Sequence, residues 1–446
     1  MTEAAQPIER SLDPERWDET RALGHRMVDD LMDYLQSIRD RPAWRPLPPE
    51  ARAAFKRPLP LEPEGAERSY EDFLAEVLPY NCGNVHPRFW GWVKGTGTPI
   101  GALAEFLTGA MNPNVWAGQQ AATHVEAQVL AWCREMLGYP AESSGLLVSG
   151  GSMANLLGLA VAVHDRAPGD IAENGLQGCP GPLRIYVSDQ THNSIRRAAA
   201  LLGLGRKAVR MVPTDAAQRI DLHALEAAIT KDRVEGVLPI ALVGNAGTVN
   251  TGAIDPLEAL ADLAHRQGLW FHIDGAFGAL AAISSSLRPL VRGMERADSL
   301  AFDLHKWMYM PIDVGCLLVR DVEAHRRPFA AAASYLVRLE RGLAADPINY
   351  SELGPELTRR FRALKVWMSL KTYGVRRYAE QVEQNVAQAR YLEGLIAKDP
   401  ALELLAPVPL NVVCFRYRRA GLSGEALDRV NREILMRLQE QGIAVP

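Results

Sequence analysis

The sequence predicts an α/β protein: a mainly parallel sheet with helices on both faces. Three features carry that expectation. Between about residues 85 and 320, short β-like runs alternate with helical ones, the pattern of repeated strand–helix units. The β-like runs are mostly continuously apolar rather than alternating, as strands covered on both faces read. Unusual polar residues then fall just past the ends of those runs, where open α/β sheets bind their ligands.

Residues 14–40 form the first helix, because Leu23, Met27, Leu31, Leu35 and Ile38 recur at three- and four-residue steps among charged positions. Seven prolines between residues 41 and 63 exclude regular helix or central strand, and a second helix follows over 70–78. Residues 1–85 are therefore expected to be an arm with too little core to stand alone, wrapped around a second subunit. Strands are expected over 184–188, 208–212, 237–243, 269–274, 299–302 and 315–319, with helices after Thr191 and from Leu222 and Leu257. They fill a large domain over 86–355. Residues 355–395 read as helix, 402–418 as two short strands interrupted by Pro407 and Pro409, and 424–441 as a closing helix. Residues 356–446 thus make a small C-terminal α+β domain. Gly442 followed by Ile-Ala-Val reads as a strand cut short, so that domain is expected to be truncated.

With 446 residues, 48% hydrophobic and 23% charged, the chain has ordinary globular composition and ample length for a core. A net charge of −4 offers no basic field for nucleic acid or anionic lipid. No apolar run approaches the roughly 20 residues of a membrane span, and the N-terminus lacks a secretory signal. The five cysteines are odd in number, scattered and never in a C-x-x-C pair. That pattern reads as reduced thiols in a cytoplasmic protein, with no metal site. A soluble enzyme or a soluble interaction protein remains.

Four places carry candidate chemistry. Gly150-Gly151-Ser152 precedes a helical run; its backbone N–H groups and hydroxyl suit a phosphate, although most such segments are only turns. Asp274 ends a buried strand and needs a partner; it is either a cap or loop ion pair, or an acid that keeps a cofactor nitrogen protonated. Lys306 lies between His305 and Trp307 after another strand. It is either a nucleophile toward aldehydes or a lysine whose stem packs on Trp307. His192 follows a third strand and alone reads as a hydrogen-bonded loop residue. Together, a phosphate cradle, a strand-end Asp and a strand-end Lys describe the needs of pyridoxal phosphate.

The sequence strongly resembles the group II pyridoxal-phosphate-dependent amino-acid decarboxylases, the family of the aromatic-L-amino-acid decarboxylases. The matching segments are His86-Pro-Arg-Phe89, Val148-Ser-Gly-Gly-Ser-Met-Ala-Asn155, Ser188-Asp-Gln-Thr-His192, Ala246-Gly-Thr-Val-Asn-Thr-Gly-Ala-Ile-Asp255, His272-Ile-Asp-Gly-Ala276 and Asp303-Leu-His-Lys-Trp307. The resemblance implies an aspartate-aminotransferase-type fold (fold type I). That fold has a seven-stranded, mostly parallel sheet and a small C-terminal domain, in a homodimer. It implies that Lys306 bonds the cofactor aldehyde, Asp274 partners the ring nitrogen, and His192 and Ala276 lie on opposite ring faces. Gly151, Ser152 and His305 match phosphate-binding positions; Asp303 stands where some relatives have Asn.

The implied reaction is that of a carboxy-lyase: an L-amino acid, with an aromatic one favoured, loses CO₂ and leaves as the amine. Trp92, Val93, Asn114 and Trp116 are the expected substrate pocket, some contributed by the partner subunit. Tyr350 is the expected proton donor, by counting back from the 358–367 segment, on a loop over 341–354. Two departures are evident. Val249 replaces a common second threonine, and the 88–95 segment is unlike that of the animal aromatic decarboxylases. The alternatives are an aldehyde synthase on the same scaffold, against which Tyr350 counts, an aminotransferase, or a catalytically silent homologue.

Overall fold

Among the described residues, seven strands build the sheet that the alternating pattern anticipates. They are β1 (Ser144–Val148), β2 (Leu183–Ser188), β3 (Val209–Val212), β4 (Leu238–Asn245), β5 (Trp270–Asp274), β6 (Ser299–Asp303) and β7 (Gly315–Val319). The computed structural model describes residues 11–330, 341–343, 345 and 348–446. The strand order is β1-β7-β6-β5-β4-β2-β3. Strand β7 runs antiparallel to both neighbours and every other pairing is parallel. The ends of β1, β2, β4, β5 and β6 therefore open on the same edge of the sheet.

Burial explains the apolar runs. Every residue of β1, β5, β6 and β7 is buried, because helices cover both faces. Strand β3 lies at the edge, and Met211 there is exposed. The β2/β4 register skips Ile240 next to Pro239, as expected where a proline removes a ladder donor.

The compact units divide the chain differently from the sequence expectation. One comprises residues 92–431, so the helix Ala363–Ile396 and the hairpin β8 (Leu402–Leu404) and β9 (Phe415–Tyr417) belong with the large sheet. The helix buries Ala363, Val366, Leu370, Tyr378 and Val382 in the same core as the sheet. The other unit joins residues 1–91 with 432–446. Its first helix spans Trp17–Gln36. Instead of one helix over 70–78, it has Ala66–Asp72 followed by a π turn and a 3₁₀ turn. Val445 pairs with Phe89, and the two pack with Ala43.

Residues 355–362 are not helical, contrary to expectation. Arg359 lies buried there; its backbone N–H donates to Asn114 Oδ1 and its C=O accepts from the Val115 N–H instead of from helical partners, and its guanidinium adds further tertiary bonds. It donates to Val115 O at 2.7 Å, Glu126 Oε1 at 2.5 Å and Leu147 O at 2.9 Å. Burial pushes the Glu126 carboxyl up and the Arg359 charge opposes that shift. The pair ties β1 to the helix Ala121–Leu137. Arg359→Ala leaves a buried carboxylate unpaired, so the urea midpoint should drop by an amount worth about 3–5 kcal/mol. Glu126→Gln, which keeps an acceptor, should cost less in the same titration.

Candidate active site

A cavity of about 400 Å³ lies at the shared strand edge. Asp274 ends β5 and Lys306 sits in the single helical turn after β6. His192 follows β2 in the turn before the helix Ser194–Leu201, and Asn245 ends β4. From β1 the chain passes through Gly150 into the helix Gly151–Arg166. Parallel strands thus deliver distant residues to one place, and all eight expected cofactor-binding residues line the same cavity.

The helix Gly151–Arg166 begins at the cavity floor. Its first intrahelical bonds come from Met153 and Ala154 to Gly150 O, which leaves the N–H groups of Gly151 and Ser152 for an anion. A side chain at Gly151 would put its Cβ 2.9 Å from both Ala276 Cβ and Asp303 Oδ2. Only glycine fits that approach. His305 Nδ1 accepts from the Val314 N–H at 3.0 Å, and burial lowers its pKa. The neutral ring therefore carries its proton on Nε2 as a donor. Asp303 is buried, and its Oδ2 lies 2.9 Å from Lys306 Nζ. Its Oδ1 is buried without a hydrogen-bond partner among the described residues. A carboxylate only accepts, so Asp303 serves Lys306 here, whereas the resemblance placed it at the phosphate.

Asp274 Oδ1 accepts from the Ala276 N–H at 3.1 Å, and Oδ2 from Asn155 Nδ2 at 2.9 Å. Of the two readings of Lys306, the packing on Trp307 is not the main one. Trp307 is buried against Phe277, with ring centroids 4.9 Å apart, while Lys306 faces the cavity. Trp92, Val93 and Val249 form an apolar part of the wall.

Three expected site residues lie elsewhere. Tyr350 is buried in the core and does not line the cavity. Its hydroxyl is 3.4 Å from Thr123 O, and Arg359 lies over its ring at 4.8 Å. A hydroxyl enclosed in its own chain's core has no route to a substrate. Of the surrounding stretch 341–354, residues 344, 346 and 347 lie outside the described residues. Asn114 and Trp116 are also outside this chain's cavity. Asn114 Oδ1 accepts from the Arg359 N–H at 2.9 Å, and Trp116 O from the Tyr350 N–H at 2.8 Å, so the segment straps 349–359 to the body.

Sequence reasoning missed Asn155, His272 and Asn245. The signals were present: Asn155 interrupts a nearly apolar helix, and His272 interrupts an apolar strand two residues before Asp274, on the same face. Asn245 donates to Asp255 Oδ2 at 2.7 Å, which secures the end of β4.

These residues fit pyridoxal phosphate. The glycine cradle, Ser152 and the His305 donor suit its phosphate. Asp274 suits the ring nitrogen, His192 and Ala276 the ring faces, and Lys306 the aldehyde. Among the described residues, no cluster of His, Cys, Asp or Glu is arranged to hold a metal.

The comparisons agree. The pyridoxal-dependent decarboxylase conserved domain matches residues 48–418. An aromatic-L-amino-acid decarboxylase of Bacillus atrophaeus is 34% identical, covering 96% of this chain and 88% of the relative. A phenylacetaldehyde synthase of Arabidopsis thaliana is 28% identical, covering 97% and 89%. The crystal structure of Oryza sativa TDC with PLP and tryptamine superposes with a TM-score of 0.88 at 28% identity, covering 97% and 91%. The chain has the type I fold, uses pyridoxal phosphate as a carboxy-lyase on an amino acid, and belongs to the family of pyridoxal-dependent decarboxylases.

Proposed function

We propose that this chain decarboxylates an aromatic L-amino acid to its amine, acting as a homodimer in the cytoplasm. The observation that carries the aromatic reading is the wall made by Trp92 and Val93. Both have left-handed backbone, φ 59° and 50°, a conformation that non-glycine and especially β-branched residues adopt only where their surroundings enforce it. Trp92 remains 68% exposed, with Lys94 Nζ 5.4 Å from its ring centroid, and it brings a flat apolar surface to the cavity wall. The aromatic substrate in the name of the Bacillus relative supports the same reading.

Pyridoxal phosphate, when bound, would supply an electron sink for the bond that breaks between Cα and the carboxylate. The protein's part is holding and orienting. Lys306 offers the amine, and Asp274 holds a proton on the ring nitrogen. His192 and Ala276 confine the ring, while Ser152, the helix N–H groups and His305 hold the phosphate. Trp92, Val93 and Val249 give the departing carboxylate apolar surroundings, where loss of its charge is favoured. Val249 brings no hydroxyl to this wall, so any bond made there by a threonine is lost. Lys306→Ala should abolish CO₂ release from every amino acid. Trp92→Ala should lower kcat/KM for aromatic amino acids about two- to tenfold, the worth of one aromatic contact, and spare aliphatic ones. Assays of all twenty amino acids check both, and equal losses in the two groups would remove the aromatic reading.

Cα still needs a proton, and the resemblance assigns that to a tyrosine downstream of Lys306. Three tyrosines lie between Lys306 and Arg359: Tyr309, Tyr335 and Tyr350. Tyr309 bonds Asn385 and Tyr350 is in the core. That leaves Tyr335, which lies outside the described residues, as the proposed donor. Without Tyr350 at the cavity, the argument against an aldehyde synthase rests on Tyr335. Tyr335→Phe should lower amine yield by about 10²–10⁴-fold, with aldehyde, ammonia and peroxide replacing part of it. Tyr350→Phe should change amine yield little. Product analysis under air decides, and a wild type that already makes aldehyde is a synthase.

The homodimer is supported by apolar surface within each unit. Phe106 and Met111 are exposed on the helix Pro99–Met111, and Leu31 is exposed on Trp17–Gln36. A dimer would also offer Asn114 and Trp116 a neighbouring cavity. Among the described residues no cysteine forms a disulfide, which suits a reducing compartment. Light scattering should give about twice the 49.0 kDa chain mass; an active monomer would refute the assembly.

A further inference from the structure

Beneath the cavity, buried polar side chains connect Asp274 to His192 through a single amide. Asn155 Nδ2 lies 2.9 Å from Asp274 Oδ2 and 3.0 Å from Ser194 Oγ. Ser194 Oγ lies 2.8 Å from His192 Nδ1. Asn155 Oδ1 lies 2.9 Å from His272 Nε2, and His272 Nδ1 lies 2.8 Å from Ser299 Oγ. Ser299 Oγ in turn accepts from the Trp270 indole N–H at 2.8 Å. Asn155, His272, Ser299 and Ser194 are buried.

The proton positions follow from what each group can do. Asn155 Nδ2 donates to Asp274 Oδ2, so the amide nitrogen faces Asp274. Its oxygen then faces His272 and accepts, which places the His272 proton on Nε2. Burial lowers the His272 pKa to about 4, so the ring is neutral near pH 7 and has no second proton. Nδ1 must accept, and the only hydrogen available for it is that of Ser299. The donors therefore run one way, from Trp270 through Ser299, His272 and Asn155 to Asp274. Aligned bonds of this kind polarise one another in a desolvated setting.

The second hydrogen of the same amide goes to Ser194 Oγ. That leaves the Ser194 hydroxyl hydrogen to donate to His192 Nδ1, with the Ser194 N–H supporting it from 3.3 Å. His192 is then held with its proton on Nε2. A glycine makes room for the arrangement: a Cβ at Gly158 would stand 2.7 Å from His272 Cε1.

We propose that Asn155 is a positioning residue that orients Asp274 and sets the tautomer of His192 at once, so the two groups assigned to the cofactor ring are prepared by one side chain. This rests on the decarboxylase reading of the cavity but makes a separate claim about protons.

The test uses the full-length, cofactor-loaded protein labelled with ¹⁵N-histidine, the His192 signals being assigned by their loss in His192→Gln. In wild type, His192 should carry its proton on Nε2 with Nδ1 bare; a proton on Nδ1 overturns the proposal, whatever the activity. Ser194→Ala removes the hydroxyl bond of the His192 branch and leaves only the longer one from the backbone N–H of residue 194. It should make a second His192 tautomer visible while pyridoxal phosphate affinity stays within about threefold of wild type, because the bonds to Asp274 are intact. Asn155→Leu severs both branches. It should show the same second tautomer and lower pyridoxal phosphate affinity about ten- to hundredfold, the worth of a hydrogen bond to a charged group. Asn155 does not touch His192, so an unchanged tautomer in folded Asn155→Leu overturns the coupling. If Asn155→Leu does not fold, Asn155→Ala removes the same two bonds and is read in the same way: an unchanged His192 tautomer overturns the coupling. Borohydride fixation of the cofactor on Lys306 checks the site independently: a protein that passes it with His192 protonated on Nδ1 keeps the decarboxylase site and loses the coupling.

Discussion

A carboxylate at the end of a strand buried on both faces has little water to lean on. Asp274 stands in that position, and the interior around it is organised to supply donors. Its oxygens take the Ala276 N–H and the Asn155 amide, and behind Asn155 stand His272, Ser299 and Trp270. Each of those is buried, so each bond must be satisfied within the protein. That requirement explains why an asparagine, a histidine and a serine occupy positions that packing alone would give to leucine or valine. It also explains Gly158, whose missing side chain lets the helix Gly151–Arg166 lie against His272.

The same helix does two jobs at different ends of its first turns. Its N-terminus offers N–H groups at Gly151 and Ser152, while Asn155, one turn later, points into the sheet toward Asp274. Phosphate cradle and ring-nitrogen acid are thereby held by one rigid element. Displacing the helix would disturb both. Lys306 is positioned by a different route: it follows β6, which pairs with β5 so that Asp274 stands opposite Ala301. Parallel pairing is what keeps the lysine and the aspartate close despite their separation in sequence.

A second buried charge governs the body of the protein rather than its chemistry. Arg359 and Glu126 are both enclosed, and Arg359 also holds two carbonyls, one of them in β1. Tyr350 packs under this guanidinium. A tyrosine that reads as a loop catalyst in the sequence is thus part of an internal clamp. Counting residues from a matching segment singled out Tyr350, yet a count carries no information about which way a side chain faces.

Much of the architecture was legible in the sequence, because doubly covered strands must be continuously apolar and a strand-end Asp or Lys among apolar residues is conspicuous. Six of the seven sheet strands (all but Ser144–Val148), the Gly-Gly-Ser turn, Asp274, Lys306 and the pyridoxal phosphate chemistry follow from such local rules and from family motifs. What tertiary structure alone decided are features that depend on pairs distant in sequence. The ion pair of Glu126 with Arg359 anchors a stretch, 355–362, that stays out of the helix. The pairing of Val445 with Phe89 drew the C-terminal segment to the N-terminal unit. The meeting of Asn155 with Asp274 and His272 turned three isolated polar residues into one hydrogen-bonded system. A local pattern reports how far each residue must hide from water, whereas the partner that satisfies a buried polar group is chosen only when the chain closes.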